Sequence, residues 1–105
     1  MSVPENRPSH SDAAVIDVGS NSVRLVLYRI DGRAIWSVFN EKILAGLGRD
    51  LTRTGRLSPE GLQATILALT RFRALVDASR PRLVFAAATA AVRDAADGEF
   101  FRDRV

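Results

Sequence analysis

Residues 13–22, AAVIDVGSNS, set the architecture of this 105-residue chain. The first six are apolar apart from Asp17 and rich in β-branched side chains, which favours a buried strand. Glycine then lets the backbone approach an anion closely, and successive backbone N–H groups form a concavity that binds phosphate. The stretch therefore predicts a strand whose end can hold a cation at Asp17 and donate to phosphate from the loop Gly19-Ser20-Asn21-Ser22. An ordinary turn, in which Asp17 and Asn21 hydrogen-bond their own backbone, is the alternative.

Two further strands follow this loop. From Val23 to Ile30 apolar residues alternate imperfectly with arginines. Asp31-Gly32 is then a strong hairpin signal, because both central positions of a type I′ turn need a positive φ. The returning strand runs from Ala34 to about Leu44. The first third of the chain is thus predicted as three consecutive antiparallel strands.

A glycine-containing loop over residues 46–57, of which residues 46–49 are assigned no role, leads into the first helix. Ser58 caps this helix, Pro59 fits its first position, and Glu60 favours the positive end of the dipole. Pro81 keeps the helix from running further. The apolar stripe of the helix consists of Leu62, Ile66, Leu69, Phe72 and Val76.

A second candidate loop follows a short, buried apolar strand predicted over residues 83–88. Thr89 stands where that strand meets a helix start, and Arg93 falls in the first turn, where a cation opposes the dipole by about 0.3 to 1 kcal/mol. A bound anion would reverse that penalty, because Arg93 and the free N–H groups would share one partner. The alternative is a surface ion pair between Arg93 and Asp94 or Asp97. If both loops lie at one edge of the sheet, a ligand site between the two strand ends is expected.

The element order is therefore β-β-β-α-β-α, an α/β fold with one domain over residues 13–105 and a flexible polar tail over residues 1–12. The final helical pattern, from residue 99, is cut short at Val105. Few elements are left to cover the two apolar strands. Both features predict that the chain is a fragment of a longer protein.

Composition excludes several classes of site. The chain has no Cys and one His, His10 in the tail, so Cys-ligated zinc, disulfides and a Ser/His/Asp triad are not expected. Basic residues number 15 against 12 acidic ones, a small excess that tolerates an anionic partner without specifying one. No signal peptide or membrane span is predicted. No Walker-type phosphate loop or dinucleotide fingerprint is present, and the aromatic residues fit core packing better than base stacking, so DNA is not an expected partner.

Three motifs together point to a known family. They are AVIDVGSNS at residues 14–22, TGRLS at 54–58 and ATAAVRDAADG at 88–98. With these motifs in this order, the chain resembles the exopolyphosphatase/guanosine pentaphosphate phosphohydrolase (Ppx/GppA) family over about residues 13–105. The resemblance implies a partial actin-like (RNase H-like) ATPase domain with a mixed sheet and helices packed on it. It further implies hydrolysis of a terminal phosphoanhydride in inorganic polyphosphate or pppGpp, with release of orthophosphate.

The resemblance also implies roles for individual residues. Asp17 would help to place Mg²⁺ or another divalent cation. Phosphate would be bound by Gly19, Ser20, Asn21, Ser22, Thr89 and Arg93. No catalytic residue is expected within the chain, because the family places its water-activating Glu after the segment that ends at Val105. The chain by itself is therefore predicted to be inactive.

Two alternatives to this phosphohydrolase remain. One is a non-catalytic module that binds polyphosphate or pppGpp. The other is a different actin-like kinase or ATPase, against which the position of Arg93 after Thr89 argues. For the whole protein the resemblance suggests a homodimer, a cytoplasmic location and a link to the stringent response.

Overall fold

The computed structural model describes residues 10–49 and 51–88, without the side chains of residues 51 and 52. The helices predicted after Ala88 lie outside these residues, as does most of the predicted tail. The described elements, in chain order, are β1 (Ala13–Val18), β2 (Ser22–Asp31), β3 (Ala34–Leu44), α1 (Leu51–Thr54), α2 (Pro59–Ser79) and β4 (Leu83–Ala88).

The strands form one mixed sheet in the order β3-β2-β1-β4. β2 pairs antiparallel with both β1 and β3, as predicted for the first third of the chain. β4 pairs parallel with β1 on the other side, with Ala13 opposite Leu83 and Val18 opposite Ala88. The predicted element order β-β-β-α-β, apart from the additional short helix α1, and the mixed α/β class are confirmed for the described part of the chain. β4, predicted as a buried strand, is instead exposed along most of its length, because α2 packs mainly against β2.

The apolar core lies on one face of this sheet. Side chains alternate along a strand, so Ile16 and Val18 share this face with their cross-strand partners Leu25 and Val23. α2 packs on the same face, mainly against β2. The buried residues of the core cluster are Ala14, Val18, Val23, Leu25, Leu27, Ala45, Leu47, Leu57, Ala68 and Phe72.

Helix α2 begins and ends for reasons visible in its sequence. The hydroxyl of Ser58 accepts a hydrogen bond from the Gly61 N–H at 3.2 Å, and Pro59 occupies the first turn. Arg80 closes the helix in the left-handed conformation, with φ 53° and its N–H donating to the Val76 carbonyl. The predicted start of the helix at Ser58 is therefore confirmed.

The buried side of α2 differs from the predicted stripe. Of the predicted residues only Phe72 is fully buried, whereas Leu62, Ile66, Leu69 and Val76 are half-buried. The fully buried positions of the helix are Gly61, Thr65, Ala68, Phe72 and Ser79. These residues are mostly small, so the helix lies close to the sheet, and larger side chains such as Ile66 line a groove above β1 and β4.

Two local features also differ from the sequence prediction. A short helix, α1, lies within the segment predicted as loop. The hairpin occurs at the predicted place, but Asp31 pairs with Ala34, so its central residues are Gly32 and Arg33. Of these only Gly32 has a positive φ, 60°, which is the pattern of a type II′ turn and not of type I′.

The start of β1 is firmly attached, so Ser11 and Asp12, which were predicted to belong to the flexible tail, are part of the folded domain. The Ser11 N–H donates to the Ser79 carbonyl at 3.0 Å, and the two hydroxyls are hydrogen-bonded in a buried position. The Asp12 carboxylate accepts from the Ile30 N–H at 2.7 Å and from Arg29 Nε at 3.2 Å. These contacts join β1 to β2 and to the end of α2.

We expect Asp12→Asn to lower the melting temperature at neutral pH. The hydrogen bond from the Ile30 N–H, followed by that from Arg29, holds the pKa of Asp12 below its ordinary value of 3.8. A depressed carboxyl pKa stabilises the fold above the unfolded pKa, and this contribution is lost as the pH falls through the folded pKa. The difference between wild type and Asp12→Asn should therefore shrink between pH 7 and pH 3 in thermal melts. Asp31→Asn, which removes an exposed carboxylate from the same hairpin, is the control; an equal effect of both variants contradicts the assignment.

Candidate phosphate site

The predicted phosphate loop is a two-residue turn between β1 and β2. The Gly19 N–H donates to the Ser22 carbonyl at 2.8 Å, which leaves Ser20 and Asn21 at the tip. Both tip residues are exposed. Their backbone N–H groups have no hydrogen-bond acceptor among the described residues. The turn therefore presents two backbone donors to solvent at the end of a buried strand.

The carbonyl oxygens of this turn point into the protein. The Asn21 oxygen accepts from the N–H groups of Ala45 and Gly46, at 2.9 and 3.0 Å. The Ser20 oxygen accepts from the Gly48 N–H at 2.7 Å. Residues 45–48, here called the glycine segment, thus donate hydrogen bonds to the carbonyl oxygens of the turn. The backbone N–H groups of Ser20 and Asn21 stay exposed.

Sequence reasoning missed the glycine segment, although a signal was present. β3 returns antiparallel to β2, and Leu44 is the partner of Ser22. The residues that follow Leu44 must therefore lie beside the turn that precedes Ser22. The hairpin prediction alone would have placed Gly46 and Gly48 next to the candidate phosphate loop.

The second predicted loop leaves the sheet at the same edge. β1 and β4 are parallel neighbours, and Val18 is paired with Ala88, so the chain exits both strands about 4.8 Å apart. Thr89 and Arg93 themselves lie outside the described residues. The described structure thus brings together Asp17 and residues 19–22, and it sets the exit toward Thr89 beside them.

A row of charged side chains crosses the sheet next to this edge. Asp17 is directly opposite Arg24 on β2, and Arg24 is opposite Lys42 on β3. All three lie on the face away from α2 because they alternate with the core residues. Arg24 Nη1 donates to Asn40 Oδ1 at 2.7 Å, and Asn40 is paired with Val26, so this hydrogen bond directs the guanidinium away from the turn and toward the middle of the sheet. The sequence pattern alone assigned Arg24 only to an alternating strand; its position two residues after the SNS motif was the available signal.

Asp17 is the one site residue whose chemistry suits a divalent cation. It is exposed at the end of β1, and carboxylate oxygen is a ligand that Mg²⁺ accepts. Within residues 10–49 and 51–88 no group of three or more acidic or His side chains could form a complete protein cage. Since Mg²⁺ is commonly bound by one or two carboxylates together with substrate phosphates, a single Asp17 fits that mode.

The described glutamates do not supply a general base. Glu41 accepts two hydrogen bonds from Arg71 Nε, at 3.2 and 3.0 Å, on the face covered by α2. Glu60 lies on α2, where its carboxylate is 3.9 Å from an Arg49 nitrogen. Neither glutamate belongs to the turn or to the row beside it. Among residues 10–49 and 51–88, both glutamates therefore lie away from the turn and are paired with arginines.

The mixed sheet in the order β3-β2-β1-β4, with a polar turn after β1 and the end of β4 at the same edge, defines an α/β domain that fits part of the actin-like ATPase fold. The sequence matches the Ppx/GppA phosphatase family over residues 10–105. The chain therefore belongs to the Ppx/GppA phosphatase family, as the three motifs predicted.

Relatives and solved structures agree with this assignment. Exopolyphosphatase 2 of Mycobacterium tuberculosis is 34% identical over 92 residues, which cover 84% of this chain and 29% of that protein. The bifunctional 3-dehydroquinate synthase/phosphatase of Fusobacterium nucleatum is 26% identical over 99 residues. These cover 88% of this chain and 15% of that protein.

Two crystal structures have the same fold. The Ppx/GppA family member of Aquifex aeolicus gives a TM-score of 0.87 at 34% identity, over 90% of this chain and 31% of that one. An exopolyphosphatase from Cytophaga hutchinsonii gives 0.81 at 29% identity, over 88% of this chain and 30% of that one. The chain thus spans less than a third of the relatives it matches. In the described residues, neither helix is long and apolar enough to cross a bilayer.

Proposed function

We propose that this chain supplies the first phosphate-binding loop of a phosphohydrolase that removes the terminal phosphate from inorganic polyphosphate or pppGpp. The pairing of β1 with β4 carries the proposal, because Val18 beside Ala88 brings the exits of the two motif-bearing strands to one edge. Family membership supports it further.

In this proposal the turn at residues 19–22 binds a phosphate through its backbone and hydroxyl donors, Thr89 and Arg93 bind it from the adjacent strand exit, and Asp17 holds the metal. Phosphoryl transfer depends chiefly on in-line positioning and charge neutralisation, for which this donor set is suited. A bound Mg²⁺ would neutralise phosphate oxygens and help to align the scissile phosphoanhydride. Arg24 and Lys42 add positive charge beside the turn, which favours a polyanion. The water-activating carboxylate comes from outside this chain.

The substrate and setting are proposed as follows. The long polyanion polyphosphate and the 5′ end of pppGpp present the same terminal phosphoanhydride, so the turn serves either. A pppGpp activity would place the protein in the stringent response. The protein acts in the cytoplasm as a homodimer, and it binds neither DNA nor a membrane.

We expect Arg93→Ala, made in the complete gene product, to lower kcat/KM for phosphate release from long-chain polyphosphate by about tenfold or more, because a charge-assisted phosphate contact is lost. The measurement is colorimetric phosphate release with Mg²⁺, repeated with pppGpp. Arg33→Ala is the matched control, since it removes the same charge from the hairpin tip at the opposite end of β2.

The outcomes separate the candidate functions. Equal release by wild type and Arg93→Ala removes the role given to Arg93. Polyphosphate binding without release by the complete gene product indicates the non-catalytic binding module. Transfer of phosphate to a sugar or hydrolysis of ATP alone indicates another actin-like enzyme. Turnover by the 105-residue chain on its own contradicts the proposal that the catalytic carboxylate lies elsewhere.

A further inference from the structure

We propose that the glycine segment, residues 45–48, is a positioning element that aims the Asn21 N–H at bound phosphate, with Gly48 as its key positioning residue. This inference rests on the proposed function, since it assigns the turn at Ser20 and Asn21 to phosphate. The inference assigns a role to the glycine segment, for which the sequence alone indicated none.

The geometry of one peptide group carries the argument. No described peptide bond is cis, and in a planar trans peptide the C=O of one residue and the N–H of the next point in opposite directions. The Ser20 carbonyl is held by the Gly48 N–H at 2.7 Å. The Asn21 N–H, in the same peptide plane, therefore points away from the glycine segment. Rotation of this plane by half a turn would present a carbonyl oxygen to the phosphate and repel it.

Close approach explains why residue 48 is glycine. A Cβ built on Gly48 would lie 3.0 Å from the Ser20 Cβ and 3.3 Å from the Ser20 oxygen. The backbone of Gly48 does not have a positive φ, so alanine there brings no backbone strain of its own. The substitution would instead displace Ser20 by a few tenths of an ångström and change the orientation of the peptide that follows it.

The glycine segment is itself held in place by the N-terminal end of α2. The Ser58 N–H donates to the Leu47 carbonyl at 2.9 Å, and Leu47 is fully buried. Gly61 of α2 lies against the backbone of Gly46 and Leu47. The glycine segment thus supports the turn at Ser20 and Asn21. The N-terminus of α2 supports the glycine segment. A rigid support of this kind keeps the Asn21 N–H oriented before the phosphate arrives.

The test compares Gly48→Ala with Gly32→Ala in the complete gene product. Gly32 lies in the β2–β3 hairpin, has a positive φ and has open space around it. Its alanine variant therefore strains the backbone there without contacting the turn at residues 19–22. We expect Gly48→Ala to raise KM for tripolyphosphate by about tenfold, with kcat changed far less, because initial phosphate binding is weakened. The Asn21 amide should move in ¹H–¹⁵N spectra recorded without ligand. Gly32→Ala should leave both the KM for tripolyphosphate and the Asn21 amide shift unchanged, although it lowers the melting temperature.

A double variant separates a local effect on the turn from a general loss of folding. Ser20→Gly removes the atom nearest to the new methyl group, so the double variant Gly48→Ala/Ser20→Gly should return the Asn21 amide shift to that of Ser20→Gly alone. An unchanged KM and an unchanged Asn21 shift in Gly48→Ala overturn the inference. If wild type neither binds nor cleaves tripolyphosphate, the proposed function fails, and the Asn21 shift still reports whether Gly48 orients the turn.

Discussion

Replacing Gly61 by alanine is expected to lower the free energy of unfolding by about 3 kcal/mol. Glycine in a helix normally favours the opposite result, since alanine improves helix propensity by about 1 kcal/mol. Here a Cβ would meet the Gly46 carbonyl oxygen and would come within 2.7 Å of the Leu47 Cα. These are backbone atoms of a buried segment, which cannot move aside as a flexible side chain does. Urea unfolding at neutral pH measures the change.

Gly55→Ala is the matched control for this variant. Gly55 has a φ of 70° and nothing within 4 Å of the position of its Cβ. Alanine there should cost only the left-handed backbone strain, about 1 to 2 kcal/mol. A Gly61→Ala protein that is as stable as wild type, or more stable, would show that α2 and the glycine segment are not in close contact.

Gly61 also connects stability to the candidate site. The contact between Gly61 and Gly46 sets how far α2 stands from the glycine segment, and the glycine segment holds the carbonyls of Ser20 and Asn21. A displacement at Gly61 is therefore transmitted to the turn through two layers of backbone. A variant at Gly61 should impair phosphate binding even at a temperature where the protein remains folded.

The secondary structure could be predicted from sequence because its signals are local. β1 and β4 have the predicted bounds, since each is a short apolar run closed by polar or capping residues. Ser58 and Pro59 fixed the start of α2 for the same reason. The buried side of α2 was not predictable, because apolar periodicity cannot tell which side of a broad stripe meets the sheet. That choice follows from small residues such as Ala68, which allow close packing only once the sheet is present.

The candidate site was predictable only in part. The turn at residues 19–22 carries its own chemistry, so small polar residues after a strand made it a candidate, with an ordinary turn as the alternative. The glycine segment has no chemistry of its own, and its function depends on backbone hydrogen bonds to residues more than twenty positions earlier. The pairing of Asp17 with Arg24 likewise depends on strand register. Register requires the whole hairpin, which single motifs do not reveal.

The second large effect is expected for Phe72→Ala, which should lower the free energy of unfolding by about 4 kcal/mol. Phe72 is fully buried on α2 and belongs to the same core cluster as Leu25 and Leu27 of β2. The substitution removes the benzyl group and leaves a cavity that the surrounding backbone cannot fill. Because domains are stable by only about 5 to 15 kcal/mol, the variant should show a much lower urea midpoint.

Leu67→Ala provides the comparison on the same helix. Leu67 is 66% exposed, so shortening it should change the free energy of unfolding by no more than about 0.5 kcal/mol. Phe72→Leu, which keeps most of the apolar volume, should fall between the two. This order depends on α2 lying with Phe72 toward the sheet and Leu67 toward solvent. Equal losses in Phe72→Ala and Leu67→Ala would mean that the helix is rotated from this position, and the contact between Gly61 and the glycine segment would then be lost as well.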